Sequence, residues 1–300
     1  MNSILNAVDY EYRDVKKIIK QLLEKYSFLS CKTIGKSCAG REIWMLQIGK
    51  ASEYVLYTAA FHGSEHITTG IALLFAEQVC HALKNGLEIG GVDARRAMYG
   101  KGILIVPLVN PDGCEISIKG AIGAGYMAGK IRRLCGGDFT HWNANLRGVD
   151  INHNFPAGWD ELHRLEHEAG IWGPAPTRFG GYSPASEPET RALMELCQQE
   201  SIRHVMALHT QGEVIYWSYG NNSPEHSAKM AEILAAQSGY ALEVPTGLAL
   251  GGGFKDWFIE KFSKPGFTLE IGKGKNPLPS DQLFSLYNDV AEILMLTAIM

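Results

Sequence analysis

Apolar residues fall at helical spacing along residues 9–26, where Val15, Ile18, Ile19, Leu22 and Leu23 share one face and predict a helix. Residues 42–49 (EIWMLQIG) and 54–61 (YVLYTAAF) predict strands, the second so uniformly apolar that it belongs inside a sheet. Residues 68–86 predict a helix that stops at Asn85-Gly86. GILIVPLVN, residues 102–110, reads as another buried strand, and Asn110-Pro111-Asp112-Gly113 predicts a turn after it. Residues from about 114 to 185 are rich in glycine, polar and aromatic residues and have little periodicity; stretches this long inside a compact domain tend to be functional. Ser186, three residues before Glu189, predicts a capped start for the helix in SEPETRALMELCQQE. Strands follow at 203–210, 213–220 and 266–272, with helices at 223–239 and 280–300. This alternation predicts an α/β fold whose sheet is at least partly parallel.

The 300 residues show no internal repeat and no low-complexity linker, so one domain over 1–300 is expected. A net charge of -4 lacks the basic excess of a nucleic-acid binder, so no nucleic-acid partner is expected. The start, MNSILNAVDYEYRDVKK, has no signal-like apolar core, and no run of 18 apolar residues exists to cross a membrane. Cys31, Cys38, Cys80, Cys114, Cys135 and Cys197 are scattered without a C-x-x-C pair and read as reduced, buried thiols of a cytoplasmic protein.

Three polar residues close apolar strands at their carboxyl ends: His62 after YVLYTAAF, His209 after RHVMAL, and Glu270 after GFTL. In open α/β sheets, ligands gather outside that end of the strands, so the three would meet at one rim. FHGSEH offers either His62 with Glu65, or His62 with His66 around a basic Glu65. The second needs continuous helix from residue 62, and Gly63 and Ser64 are poor interior helix residues. The first is therefore favoured, with His66 a polar residue near the helix start. His209 completes a His₂Glu set, one of the known catalytic zinc ligations. LHRLEHE also contains an H-x-x-E-H, in His163, Glu166 and His167, but its dense charge reads as a solvated surface helix.

These residues resemble the zinc carboxypeptidase family over nearly the whole chain. IGKSCAGREIWMLQIG, FHGSEH, VNPDG, GVDINHNFPAGW, SEPET, ALHTQG and FTLEIG stand in the family's order. The resemblance implies a mixed central sheet of about eight strands flanked by helices. It also implies one Zn²⁺ on His62, Glu65 and His209, Glu270 as the catalytic base, and Asp150 as the partner of the His62 ring.

Departures narrow the picture. The family's carboxylate-clamping Asn-Arg pair corresponds to Asn152 and His153, and histidine lacks arginine's bidentate fork. Its oxyanion arginine aligns with Asn143, leaving Arg147 as a possible substitute, and its mobile tyrosine is replaced near Leu248. This pattern is similar to the bacterial γ-D-glutamyl-L-diamino acid endopeptidases, which cut stem peptides before meso-diaminopimelate or lysine. The position of Lys255 then implies a cation at the base of the specificity pocket, suited to a diaminopimelate carboxylate. The expected partner is a peptide or muropeptide substrate. Rival expectations are a carboxypeptidase that binds a terminal carboxylate through His153 or Arg147, a small-molecule amide deacylase, and a binding module that kept the fold.

Overall fold

The computed structural model describes residues 3–300; Met1 and Asn2, counted in the expected domain, lie outside the described residues. An eight-stranded sheet runs β1-β2-β6-β3-β7-β10-β8-β9 in space. Its strands are β1 (Leu29–Lys36), β2 (Glu42–Ile48), β3 (Tyr54–Ala59), β6 (Gly102–Val106), β7 (Ile202–His209), β8 (Val214–Tyr216), β9 (Ala241–Glu243) and β10 (Gly266–Glu270). A small hairpin, β4 (Glu88–Ile89) with β5 (Val92–Asp93), stands apart. The four central strands β6, β3, β7 and β10 are mutually parallel, while β1, β2 and β8 add antiparallel neighbours. The sheet is thus mixed, as expected.

Side chains alternate through the central strands and feed two cores. Val55, Tyr57 and Ala59 of β3, Ile103 and Ile105 of β6, and Met206 and Leu208 of β7 enter one core. That core is closed by α1 (Tyr12–Lys25), α2 (Ile67–Asn85), α8 (Glu225–Ser238) and α10 (Leu283–Ile299). Leu56, Leu104, Val106, Val205 and Ala207 point the other way, onto α7 (Pro188–Gln199) and α9 (Phe254–Phe262). Burial on both faces explains why these strands read as continuous apolar runs. No helix among the described residues is long and apolar enough to cross a membrane.

The region of weak periodicity holds more helix than its pattern shows. After the short α3 (Ala94–Ala97), Pro111 opens α4 (Pro111–Lys119) with Asn110 as its cap, so Asn-Pro-Asp-Gly starts a helix rather than a simple turn. Next come α5 (Ala128–Leu134) and α6 (Trp159–Glu168). The expected Ser186 cap is not formed: Ser186 Oγ donates to Glu187 Oε1 instead, and α7 begins after Glu187 with proline in its first turn. All six cysteines are free, but only Cys80, Cys114 and Cys197 are fully buried.

Candidate active site at the carboxyl rim of the sheet

Because β3, β7 and β10 are adjacent and parallel, their last residues open onto one rim, and the register sets Glu270 beside His209. His62 comes three residues beyond β3. The chain turns there through Ala60 at φ 57°, a left-handed conformation that costs alanine about 1 kcal/mol. Ala60 N donates to Thr68 Oγ1 (2.9 Å) and Asn110 N to Ala60 O (3.0 Å), which hold the turn. Asn110 Nδ2 also donates to the carbonyls of Phe61 (2.9 Å) and Asn143 (3.1 Å). At Gly63 a Cβ would lie 2.4 Å from the carbonyl oxygens of both Gly113 and Trp142, so no side chain fits. Glu65 then falls in a single 3₁₀ turn, Gly63–Glu65, and α2 starts only at Ile67. His62 and His66 are therefore not on one continuous helix.

His62 Nδ1 is 2.8 Å from Glu65 Oε1, and His209 Nδ1 is 2.9 Å from Glu65 Oε2. The three donors lie within 4.8 Å of one another. Asp150 Oδ1, 3.2 Å from His62 Nε2, turns the opposite nitrogen toward Glu65, the carboxylate–histidine arrangement of metal sites. His209 stacks on Phe61 with centroids 5.2 Å apart, and its buried Nε2 has no partner among the described residues. Two imidazoles and a carboxylate facing a cavity fit a zinc ion with an open position.

The charges reinforce one another. Burial alone would raise Glu65, but the His62 and His209 charges pull it down to about 2. Burial opposes charge on His62 too, yet Glu65 and Asp150 raise its pKa well above the usual histidine value. Asp150 sits below the ordinary carboxylate range despite burial, through the His62 and His153 charges and its hydrogen bonds. Glu270 moves the other way, up to about 8, through burial and then the Glu65 charge, with His62 opposing. A carboxyl tuned toward neutrality in a cleft is what acid–base chemistry requires.

A cavity of about 290 Å³ joins His62, Glu65, His209 and Glu270 to Asn143, Asp150, Asn152, His153, Leu248 and Lys255. Asn143 Oδ1 accepts from Ser64 Oγ (2.5 Å), which leaves its NH₂ end as the available donor. Asn152 Oδ1 accepts from Phe254 N (3.0 Å) and so fastens the start of α9. His153 Nδ1 is 2.9 Å from Glu166 Oε1.

Two expectations change and a third gains a partner. Arg147 does not line the cavity; its guanidinium turns to Glu187 at 3.6 Å. Lys255 does line the cavity, but it is 5% exposed, donates to Ser218 O (2.8 Å), and pairs with Asp256. The LHRLEHE helix is not merely a solvated surface element, because Glu166 is fully buried and binds His153, His163 and Gly180 N. Sequence reasoning missed Arg178, Thr177, Tyr216 and Thr268, which also line the cavity. The one signal was their position, Thr177 and Arg178 in the aperiodic stretch and Tyr216 and Thr268 within strands.

A family model described as zinc carboxypeptidase matches residues 15–292. The chain belongs to the zinc carboxypeptidase family. It is a zinc-dependent peptidase with a His-Glu-His candidate ligand set. It is 36% identical to the Bacillus subtilis protein YqgT over 95% of this chain and 76% of that one. It is 35% identical to γ-D-glutamyl-L-diamino acid endopeptidase 1 of Lysinibacillus sphaericus, over 96% of this chain and 72% of that one. Among solved structures, bovine thrombin-activatable fibrinolysis inhibitor bound to tick carboxypeptidase inhibitor shares the fold, with a TM-score of 0.77, 19% identity and 97% of each chain covered.

Proposed function

We propose that this family member hydrolyses the bond between the γ-carboxyl of D-glutamate and meso-diaminopimelate, or lysine, in peptidoglycan stem peptides. The observation that carries this reading is the Lys255–Asp256 pair on the cavity wall. Both side chains are nearly fully buried, yet both line the cavity. A cation next to an anion complements the ammonium and carboxylate on the distal carbon of diaminopimelate. The relative from Lysinibacillus sphaericus, whose name describes a bond of this kind, supports the same class.

In this reading His62, Glu65 and His209 would hold the zinc ion. Zinc supplies Lewis-acid polarisation of a carbonyl and makes water acidic near neutral pH. Glu270 accepts a proton from the attacking water and delivers it to the leaving amine. Asp150 keeps the His62 ring in one orientation. Asn143 lines the cavity and, with its Oδ1 taken by Ser64, keeps its NH₂ as a donor for the developing oxyanion. A terminal-carboxylate reading draws on one observation: Glu166 fixes the His153 ring at the cavity wall. Peptides with free and blocked carboxyl termini separate the two.

Incubation of the zinc-loaded protein with L-Ala-γ-D-Glu-meso-diaminopimelate, followed by mass analysis, tests the proposal. Release of free diaminopimelate and L-Ala-D-Glu is expected. An intact tripeptide beside efficient trimming of ordinary α-linked peptides would sink it.

A further inference from the structure

A γ-linkage leaves one chemical mark beside the scissile bond. The glutamyl α-carboxylate, consumed in an ordinary peptide, stays free and negative on the acyl side. An enzyme selective for that linkage needs a cation near the cut, separate from the groups that hold the amine side.

Two lysine or arginine side chains line the cavity, Lys255 and Arg178. Lys255, held by Asp256 and Ser218 O, is the group assigned above to diaminopimelate. Arg178 has no carboxylate partner among the described residues. Its backbone is in the left-handed region at φ 67°, a costly conformation for a residue with a side chain. Hydrogen bonds hold it there. Arg178 N donates to Asp150 Oδ2 (2.9 Å), and Asp150 N donates to Phe179 O (2.7 Å). On one side, the N–H groups of Asn143 and Ala144 donate to Pro176 O (2.8 and 2.9 Å); on the other, Gly180 N donates to Glu166 (3.1 Å). The segment bearing Arg178 is therefore tied both to Asn143 and to the carboxylate behind His62. Position 153 holds histidine and Arg147 is paired with Glu187, so Arg178 is the arginine left to this cavity.

We propose that Arg178 is a specificity-determining residue that binds the free α-carboxylate of the γ-linked glutamyl residue, the side of the substrate opposite the Lys255–Asp256 pair. This rests on the γ-D-glutamyl reading above. The planar guanidinium matches a carboxylate in two parallel hydrogen bonds, and its pinned backbone reduces the freedom lost on binding.

The test compares wild type, Arg178→Gln and Arg178→Lys, each zinc-loaded, on three peptides. These are L-Ala-γ-D-Glu-meso-diaminopimelate, the same peptide with the glutamyl α-carboxylate as a carboxamide, and one amidated instead on diaminopimelate. Arg178→Gln is expected to raise KM about tenfold to a hundredfold on the two peptides that keep the glutamyl carboxylate. Its KM on the glutamyl carboxamide should match wild type, kcat should change little, and Arg178→Lys should recover part of the loss. Equal KM changes on all three peptides, no change on any, or a loss that follows the diaminopimelate carboxylate overturns the assignment. Wild type that discriminates poorly yet cleaves all three overturns it while leaving the γ-D-glutamyl reading intact. Wild type that cleaves none overturns both.

Discussion

Replacing Asp150 with Asn probes how far this zinc site depends on a residue that does not face the ion. Asp150 uses both oxygens: Oδ1 takes His62 Nε2 and Asn152 N, each at 3.2 Å, and Oδ2 takes Arg178 N at 2.9 Å. Asparagine keeps one acceptor and puts an NH₂ where the other was. Either His62 loses its anchor, or the Arg178 N–H meets another donor. Loss of such a histidine partner typically costs about 10- to 100-fold in metal affinity, roughly 1.4 to 2.8 kcal/mol. A second effect has the opposite sign. Asp150 and Glu65 together raise the His62 pKa, so the native site suffers proton competition that Asp150→Asn relieves. The affinity deficit should therefore be largest at alkaline pH, where proton competition is weakest, and shrink on acidification. Competition against a chromophoric zinc chelator across the range of about pH 6 to 9 measures it, with circular dichroism to confirm folding. A folded variant that binds zinc as tightly as wild type at the alkaline end would refute the reasoning.

Glu270→Gln should lower kcat by about 10²- to 10⁴-fold while zinc stoichiometry stays at one, and full turnover in that variant removes Glu270 from the chemistry. Gly63→Ala has no room for its methyl group, so zinc content should fall along with activity; a fully loaded variant contradicts the packing argument. Glu189 is fully buried, and its pKa rises to about 7 through burial and the Asp112 charge. Its folded-state pKa lies above the unfolded value, so the folded state binds more protons between about pH 4.5 and 7. That stabilisation is complete below about pH 4.5 and lost as pH rises through about 7, a span of about 3 kcal/mol. Thermal melts of Glu189→Gln against wild type should diverge across that window; parallel profiles would show that Glu189 does not titrate there.

The parts of this site that were legible in the sequence are those set by strand geometry. His62, His209 and Glu270 each follow an apolar run, and a parallel sheet carries the ends of such runs to one rim whatever the loops do. Glu65 was legible because Gly63 and Ser64 delay the helix. Arg147 and Glu166 were misread, and the Lys255 partner was missed, because their surroundings depend on groups distant in sequence or on enclosure. Arg147 turns to Glu187, and Glu166 binds His153 and Gly180. Lys255 pairs with its chain neighbour Asp256, but only burial on the cavity wall makes that pair significant. Arg178 stayed hidden because no periodic pattern marks a residue held by backbone hydrogen bonds in a long loop. Helix α4 was missed because Asn-Pro-Asp-Gly serves a turn and a helix start equally well.

The most direct measurement is anomalous diffraction at the zinc absorption edge from crystals of protein purified without chelators. One strong peak is expected within about 2.0 to 2.2 Å of His62 Nδ1, His209 Nδ1 and a Glu65 carboxylate oxygen. A peak on the separate Cys38, Glu187 and Glu189 cluster, with none at the sheet rim, would contradict the account.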